Sequence, residues 1–215
     1  VYGMTENCGV SHATLPGKQR PGTVGLPYDG IQSRLDPTSG EIQMKSPGLM
    51  LGYYKEPEQS RATMTEDGWL KTGDKGALDA EGNLKITGRV KDLFKTSKGK
   101  YVAPAPIEDR LVMNELVEAC AVTGANLGQP LGIVMLNLDG ITKAKSADGR
   151  KDIETSLTAH LATINTKLDP HEQLDCVVVI TEPWSVDNGF ITPTFKVKRN
   201  RIEEVYGPNY ETWVG

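Results

Sequence analysis

Between Ile31 and Ile86 the apolar residues recur every second position in short runs. Residues 31–36 and 40–46 alternate across Pro37-Thr38-Ser39-Gly40, which predicts a hairpin. Gly76-Ala77-Leu78 and Leu84-Lys85-Ile86 do the same across Asp79-Ala80-Glu81-Gly82. Between these hairpins, Gly48–Tyr54 reads as a turn with aromatic anchors and Pro57–Thr65 as a short helix. Asp67-Gly68 then turns into Trp69-Leu70-Lys71-Thr72, followed by Gly73-Asp74. Residues 1–30 are irregular, with Gly and Pro setting the chain direction. The first 88 residues therefore predict a small antiparallel assembly.

Downstream the period lengthens. Pro106 suits a first helical position before IEDRLVMN, where Ile107 and Leu111 share a face. Glu118–Gly124 and Gly132–Leu138 predict strands joined by a turn over 126–130. Residues 151–168 give the clearest helix, because Ile153, Leu157, Leu161, Ile164 and Leu168 form one stripe. Cys176–Ile180 is a fully apolar strand, and Val197–Tyr206 a final helix. Such alternation predicts a compact α+β domain.

The two halves meet in GRVKDLFKTSKGKYVAPAP, residues 88–106. Charged residues alternate there with Val90, Leu93 and Phe94, so the join predicts strand or hairpin on both sides of a short pivot, unlike a Gly/Ser linker.

Composition narrows the function classes. The 215 residues are 38% hydrophobic with a formal charge of -4, and basic residues cluster only in 89–100 and 196–201, which argues against nucleic acid as a partner. No apolar run approaches the roughly 20 residues of a transmembrane helix. Cys8, Cys120 and Cys176 are odd in number and far apart, which predicts reduced, buried thiols and a cytoplasmic setting. His12, His160 and His171 stand isolated and read as surface or capping residues. There is no phosphate-loop, dinucleotide or zinc spacing.

Three signals carry candidate chemistry. Thr5-Glu6 offers a hydroxyl and a carboxylate, hard oxygens of the kind Mg²⁺ prefers. Asp74, after Gly73, could accept hydrogen bonds from sugar hydroxyls. Lys196, in ITPTFKVKRN, could lie in a mobile segment and neutralise a phosphate or carboxylate. Each has a plain structural alternative: Thr5 and Glu6 as caps of a helix beginning near Asn7, Asp74 as a turn cap, Lys196 as a solvated member of a basic helix end.

Taken in order, YGMTE, GEIQMKSPGLMLGYYKEPE, DGWLKTGD, GRVKDLFKTSKGKYVAPAPIE and TPTFKVKRN resemble the motifs of the AMP-forming adenylation enzymes, and most of all fatty acyl-CoA synthetases. The resemblance implies the carboxyl-terminal part of that α+β fold. Residues 1–88 would end the large amino-terminal domain with its small antiparallel β subdomain, 89–92 would be the hinge region, and 93–215 the swivelling α+β domain. It also implies an acyl-adenylate made from a fatty acid or other carboxylic acid and ATP with Mg²⁺, followed by transfer to CoA. Tyr2 would lie by the adenine, Thr5 by the phosphates and Glu6 on Mg²⁺; Asp74 would hold the ribose, and Arg89 would also bind nucleotide. Lys91 occupies the hinge position. Lys98, Gly99 and Lys100 resemble the loop presented for thioester formation, and Lys196 the lysine that stabilises adenylate formation.

Two departures accompany the likeness. Phe195 stands where glycine is commoner, and Lys198 is the alternative to Lys196. The family's glycine- and Ser/Thr-rich phosphate loop, most of the acyl pocket and the parallel-sheet core belong upstream of Tyr2, so this stretch by itself is expected to be inactive and to need that amino-terminal part as its partner. Transfer of the acyl group to a carrier-protein thiol or a reductase domain is the competing expectation. For the whole protein, peripheral membrane association is compatible with the cytoplasmic setting.

Overall fold

The computed structural model describes residues 1–214. It divides into two compact units, Val1–Asp92 and the residues from Leu93 onward.

In the first unit, a short antiparallel pair, β1 (His12–Ala13) and β2 (Leu26–Pro27), lies within the stretch expected to be irregular. The main sheet contains β3 (Gln32–Leu35) and β4 (Glu41–Lys45), followed after helix α1 (Pro57–Ala62) by β5 (Leu70–Leu78) and β6 (Leu84–Arg89). These strands form an antiparallel meander in the order β3-β4-β5-β6. Both tight connections are built on an aspartate. Asp36 accepts from the Thr38 and Ser39 N–H groups at 3.1 and 2.8 Å, and Asp79 from those of Glu81 and Asn83 at 3.0 and 2.8 Å. Ile42, Met44 and Leu84 form the core on one face of the sheet. A Cβ on Gly76 would lie 2.8 Å from Ile42 Cγ1 and 2.8 Å from Leu84 Cδ1, so this strand position has room only for glycine.

The join follows β6 with a 3-10 turn, Val90–Asp92. The second unit then opens on a two-stranded hairpin, β7 (Phe94–Lys95) and β8 (Tyr101–Val102). Helix α2 (Pro104–Leu111) precedes β9 (Val117–Thr123) and β10 (Leu131–Leu136). Next come α3 (Leu138–Lys143), α4 (Ala147–Asn165), β11 (Val177–Ile180), α5 (Arg199–Tyr206) and α6 (Tyr210–Trp213). The sheet order is β11-β10-β9: β10 runs antiparallel to β9 and parallel to β11, with α3 and α4 in the crossover.

Buried along its whole length, β10 divides the core by its period of two. Leu131, Ile133 and Met135 meet Trp184, Phe190, Ile202 and Tyr210 on one face. Val134 and Leu136 meet Ile153 and Leu157 of α4 on the other.

Several expectations shift. Helix α2 starts at Pro104, two residues before Pro106, because either proline can occupy a first-turn position that needs no N–H partner. Helix α4 starts at Ala147, where Ser146 caps it by accepting from the Gly149 N–H at 3.0 Å, and it ends at Asn165. The helix expected near Asn7 is instead a single 3-10 turn, Thr5–Asn7, that ends there; Cys8 takes the left-handed conformation at φ 62°. Cys8 is exposed and not buried, its thiol directed at the Gly48 carbonyl at 3.1 Å, while burial pushes the Cys120 thiol up to about 12. No helix among the described residues is long and apolar enough to cross a membrane.

Candidate active site

The candidate residues of the first unit gather at two places. Asp74 faces Arg89 across the β5–β6 ladder, so the antiparallel register itself sets carboxylate beside guanidinium. Arg89 Nε lies 2.9 Å from Asp74 Oδ1, and the Tyr2 hydroxyl donates to Oδ2 at 2.7 Å. Asp74 is therefore a strand residue and not the turn cap its glycine neighbour suggested. Gly73 takes φ 75° within the strand, and its N–H donates to Glu41 Oε1 at 2.9 Å. Thr72 fixes the approach, donating its hydroxyl to the Ile42 carbonyl at 2.8 Å and accepting from the Asp74 N–H at 3.1 Å.

Tyr2 reaches Asp74 because it bridges antiparallel to His12 at the sheet's edge. Burial raises its phenol above the usual range; the Asp74 carboxylate adds to this and the Thr72 hydrogen bond opposes it. The phenol thus stays a donor at neutral pH. Among the described residues each Asp74 oxygen has one partner, the Tyr2 hydroxyl or Arg89 Nε, and keeps a second lone pair, enough to accept from a pair of vicinal hydroxyls.

Glu6 forms a separate pair with Tyr53, whose hydroxyl donates to Oε1 at 2.7 Å. That carboxylate raises the Tyr53 phenol, through the hydrogen bond first and burial second. The Met50 N–H also donates to the Glu6 carbonyl at 2.8 Å, and the Tyr53 N–H to Ser60 Oγ at 2.8 Å. Beneath the turn, buried Asn7 directs its side-chain amide at Met44 Sδ, 3.1 Å away, and accepts from the Met4 N–H at 3.0 Å. The turn thereby presents Glu6 from a fixed backbone, with the Thr5 residue exposed beside it. No group of three or more His, Cys, Asp or Glu residues suited to a metal occurs among the described residues. A lone carboxylate fits Mg²⁺, which keeps waters and phosphate oxygens as its other ligands.

Tyr53 escaped sequence reasoning, which read its segment only as aromatic anchors. His12, expected as a surface or capping residue, is 1% exposed, and burial lowers its imidazole to about 4. It packs 6.0 Å from the Tyr2 ring, centroid to centroid, and no sequence signal marked it.

Lys91 lies in the 3-10 turn that closes the first unit. In the second unit, Lys98, Gly99 and Lys100 form the β7–β8 turn. Gly99 takes φ 79°, its N–H donates to the Thr96 carbonyl at 2.9 Å, and the Thr96 N–H donates to the Lys100 carbonyl at 2.9 Å. Lys196 follows the tip of another hairpin, closed by the Ile191–Val197 bridge. The Phe195 N–H donates to the Thr192 carbonyl at 2.8 Å, the Thr192 N–H to the Lys196 carbonyl at 2.8 Å, and the Lys196 N–H to Thr192 Oγ1 at 3.0 Å. Lys196 is thus on a hydrogen-bonded turn with its side chain exposed, and Lys198 is the residue before α5.

Just beyond that turn, Arg199 Nη2 lies 2.5 Å from Glu108 Oε2 of α2, and Glu108 Oε1 accepts from the Val122 N–H of β9 at 2.7 Å. This carboxylate joins three elements behind the lysine turn.

Residues 91–211 match the AMP-binding enzyme C-terminal domain. The chain belongs to that family. It is 30% identical to the peroxisomal long chain acyl-CoA synthetase 6 of Arabidopsis thaliana, over 95% of this chain and 33% of that protein. It is also 30% identical to the human long-chain-fatty-acid–CoA ligase 1, over 95% of this chain and 33% of the relative. Among solved structures, the adenylation domain of a carboxylate reductase from Mycobacterium chelonae superposes with a TM-score of 0.78 at 27% identity, covering 99% of this chain and 34% of that one. The α+β architecture is thus that of adenylate-forming enzymes, and the chain spans about a third of the length of the curated relatives it matches.

Proposed function

We propose that the whole protein activates a fatty acid with ATP to an acyl-adenylate, releases pyrophosphate, and passes the acyl group to CoA with release of AMP. The observation that carries this reading is the Asp74 carboxylate, held between the Tyr2 hydroxyl and Arg89 with lone pairs to spare. Asp74 accepts from the ribose hydroxyls, and Arg89, its side chain 58% exposed, keeps donors for the nucleotide. Tyr2 orients the carboxylate from the adenine side. Glu6 supplies a hard oxygen for Mg²⁺, whose charge when bound offsets that of the phosphates, and Thr5 lies beside it. Lys196 neutralises the encounter between the substrate carboxylate and the α-phosphate, two anions that repel until a cation lies between them. The turn of Lys98, Gly99 and Lys100 then serves the thioester step, with glycine letting a pantetheine chain pass close to the backbone. Lys91 is the pivot between the two arrangements.

The curated relatives' names favour free CoA and a long-chain acid. The carboxylate reductase likeness favours a second reading, in which the adenylate goes to a carrier thiol or a reductase domain. Acid-dependent pyrophosphate release by the intact protein, with acetate, octanoate and palmitate and with mass detection of acyl-CoA, separates them. Palmitoyl-CoA formation that falls by about 100-fold or more in Lys196→Ala is the expected result. Pyrophosphate release without acyl-CoA would favour the carrier reading, and no acid-dependent release would overturn both.

A further inference from the structure

Tyr53 turns inward from a segment that otherwise faces solvent. Leu51 and Tyr54 beside it are exposed, whereas Tyr53 is half-buried and its hydroxyl donates to Glu6 Oε1 at 2.7 Å. Its main chain is pinned at both polar groups: the N–H donates to Ser60 Oγ at 2.8 Å, and the carbonyl accepts from the Glu56 N–H at 3.1 Å. Ser60 Oγ in turn donates to the Glu56 carbonyl at 2.7 Å, which fastens the segment to α1. Gly52 allows the close approach, since at its φ of 146° a Cβ would lie 3.0 Å from Ser60 Oγ.

The same segment holds Glu6 twice. The Met50 N–H fixes its carbonyl at 2.8 Å, and the Tyr53 phenol fixes its carboxylate. The phenol proton sets the rotation of the carboxylate and draws charge towards Oε1. Oε2 has no protein donor among the described residues, so it is the better ligand oxygen.

A carboxylate held in this way offers a cation one oxygen. Mg²⁺ suits it, because its small octahedral shell fills its other positions with water and phosphate oxygens. Ca²⁺ has a wider, more flexible shell and also takes both oxygens of one carboxylate.

We propose that Tyr53 is a positioning residue for Mg²⁺ at Glu6: its hydroxyl engages Oε1, presents Oε2 as the single ligand oxygen, and so favours Mg²⁺ over Ca²⁺ beside the nucleotide phosphates. This rests on the reading of Glu6 as the Mg²⁺ ligand. Tyr53 acts through the carboxylate and touches neither ion nor nucleotide.

The test uses the full-length protein as wild type, Tyr53→Phe and Glu6→Gln, titrated with a fluorescent ATP analogue without any acid substrate, so that no turnover intervenes. Each titration is run with saturating Mg²⁺, with saturating Ca²⁺, and with a chelator and no divalent ion. Tyr53→Phe is expected to raise the Kd of the Mg²⁺-nucleotide by roughly 10-fold, the scale of a lost ligand-orienting partner. The Ca²⁺-nucleotide and metal-free Kd should stay within about twofold. The melting temperature should fall by less than about 4 °C, because the ring remains and one hydrogen bond is lost.

An unchanged Mg²⁺-nucleotide Kd in Tyr53→Phe would overturn the proposal. So would an equal loss in all three titrations, which a merely structural hydrogen bond would give, or an equal loss with the two ions, which would leave Tyr53 no part in the choice between them. Glu6→Gln should lose most of the gain in affinity that Mg²⁺ brings. If it keeps that gain, the reading of Glu6 fails and takes the proposal with it, an outcome seen without reference to Tyr53.

Discussion

A neutral imidazole inside the first unit makes its stability depend on acid. His12 is 1% exposed beside the Tyr2 ring and Ser11 Oγ, and burial lowers it from 6.5 to about 4. Its folded value lies below the unfolded one, so between about pH 6.5 and 4 the unfolded chain binds the extra proton. Stability is therefore intact above the unfolded value and falls as pH drops through this window, by at most about 3 kcal/mol. Urea unfolding at pH 7, 5 and 4 should show the decline, and His12→Asn should flatten it; an unchanged slope in that variant would assign the acid sensitivity to other groups. The same residue shows why sequence failed here. An isolated histidine between Ser11 and Ala13 has no periodic context, and its burial depends on Tyr2 bridging to it from ten positions upstream. Asp74 stood out as a candidate from its neighbours alone, yet its strand geometry was hidden by Gly73, whose positive φ reads locally as a turn.

Elements were legible where the hydrophobic period was long, and their ends were not. The stripe from Ile153 to Ile164 announced α4, while its first turn contains Gly149, which reads as a breaker. That glycine is required by packing: a Cβ there would lie 2.0 Å from the Lys143 carbonyl oxygen. Helix propensity alone would make Gly149→Ala stabilising by about 1 kcal/mol. A backbone clash outweighs that gain, so the variant should unfold at lower urea, and a higher midpoint would show that the preceding turn yields freely. The pair joining α2 to α5 is a second case where magnitude decides. Glu108 and Arg199 are 16% and 27% exposed in their side chains, whereas Arg201 and Glu204 are 39% and 68% exposed. Removing the charge in Glu108→Gln weakens a largely buried ion pair and the hydrogen bond to the Val122 N–H, and should cost about 1–2 kcal/mol, discounted from the buried-pair range for the pair's remaining contact with water. Glu204→Gln should cost less than about 1 kcal/mol. Equal midpoint shifts would mean that solvent screens both pairs alike. The pairing of Glu108 with Arg199 was not readable in sequence, since they lie 91 positions apart.

At the scale of the molecule, the change of period near residue 90 marked where one kind of folding gives way to another, and the two compact units divide between Asp92 and Leu93. Strand β6 ends at Arg89 in register with Asp74, and only the Val90–Asp92 turn and Leu93 separate it from the second unit's first strand. Arg89 is thus tied to Asp74 while Lys91, two residues on, is the proposed pivot, so any rotation must be absorbed in the few backbone angles after Arg89. Proline at 91 would fix one of those angles and remove an N–H while leaving Asp74, Glu6 and Lys196 chemically intact. In the full-length protein, Lys91→Pro should therefore uncouple the two half-reactions, changing the ratio of pyrophosphate exchange to CoA transfer by at least about tenfold relative to wild type. The fixed backbone would favour whichever arrangement its φ permits and starve the other. Equal loss in both steps, with the melting temperature lowered, would instead mean that proline damages the end of β6, and the pivot would have to lie elsewhere.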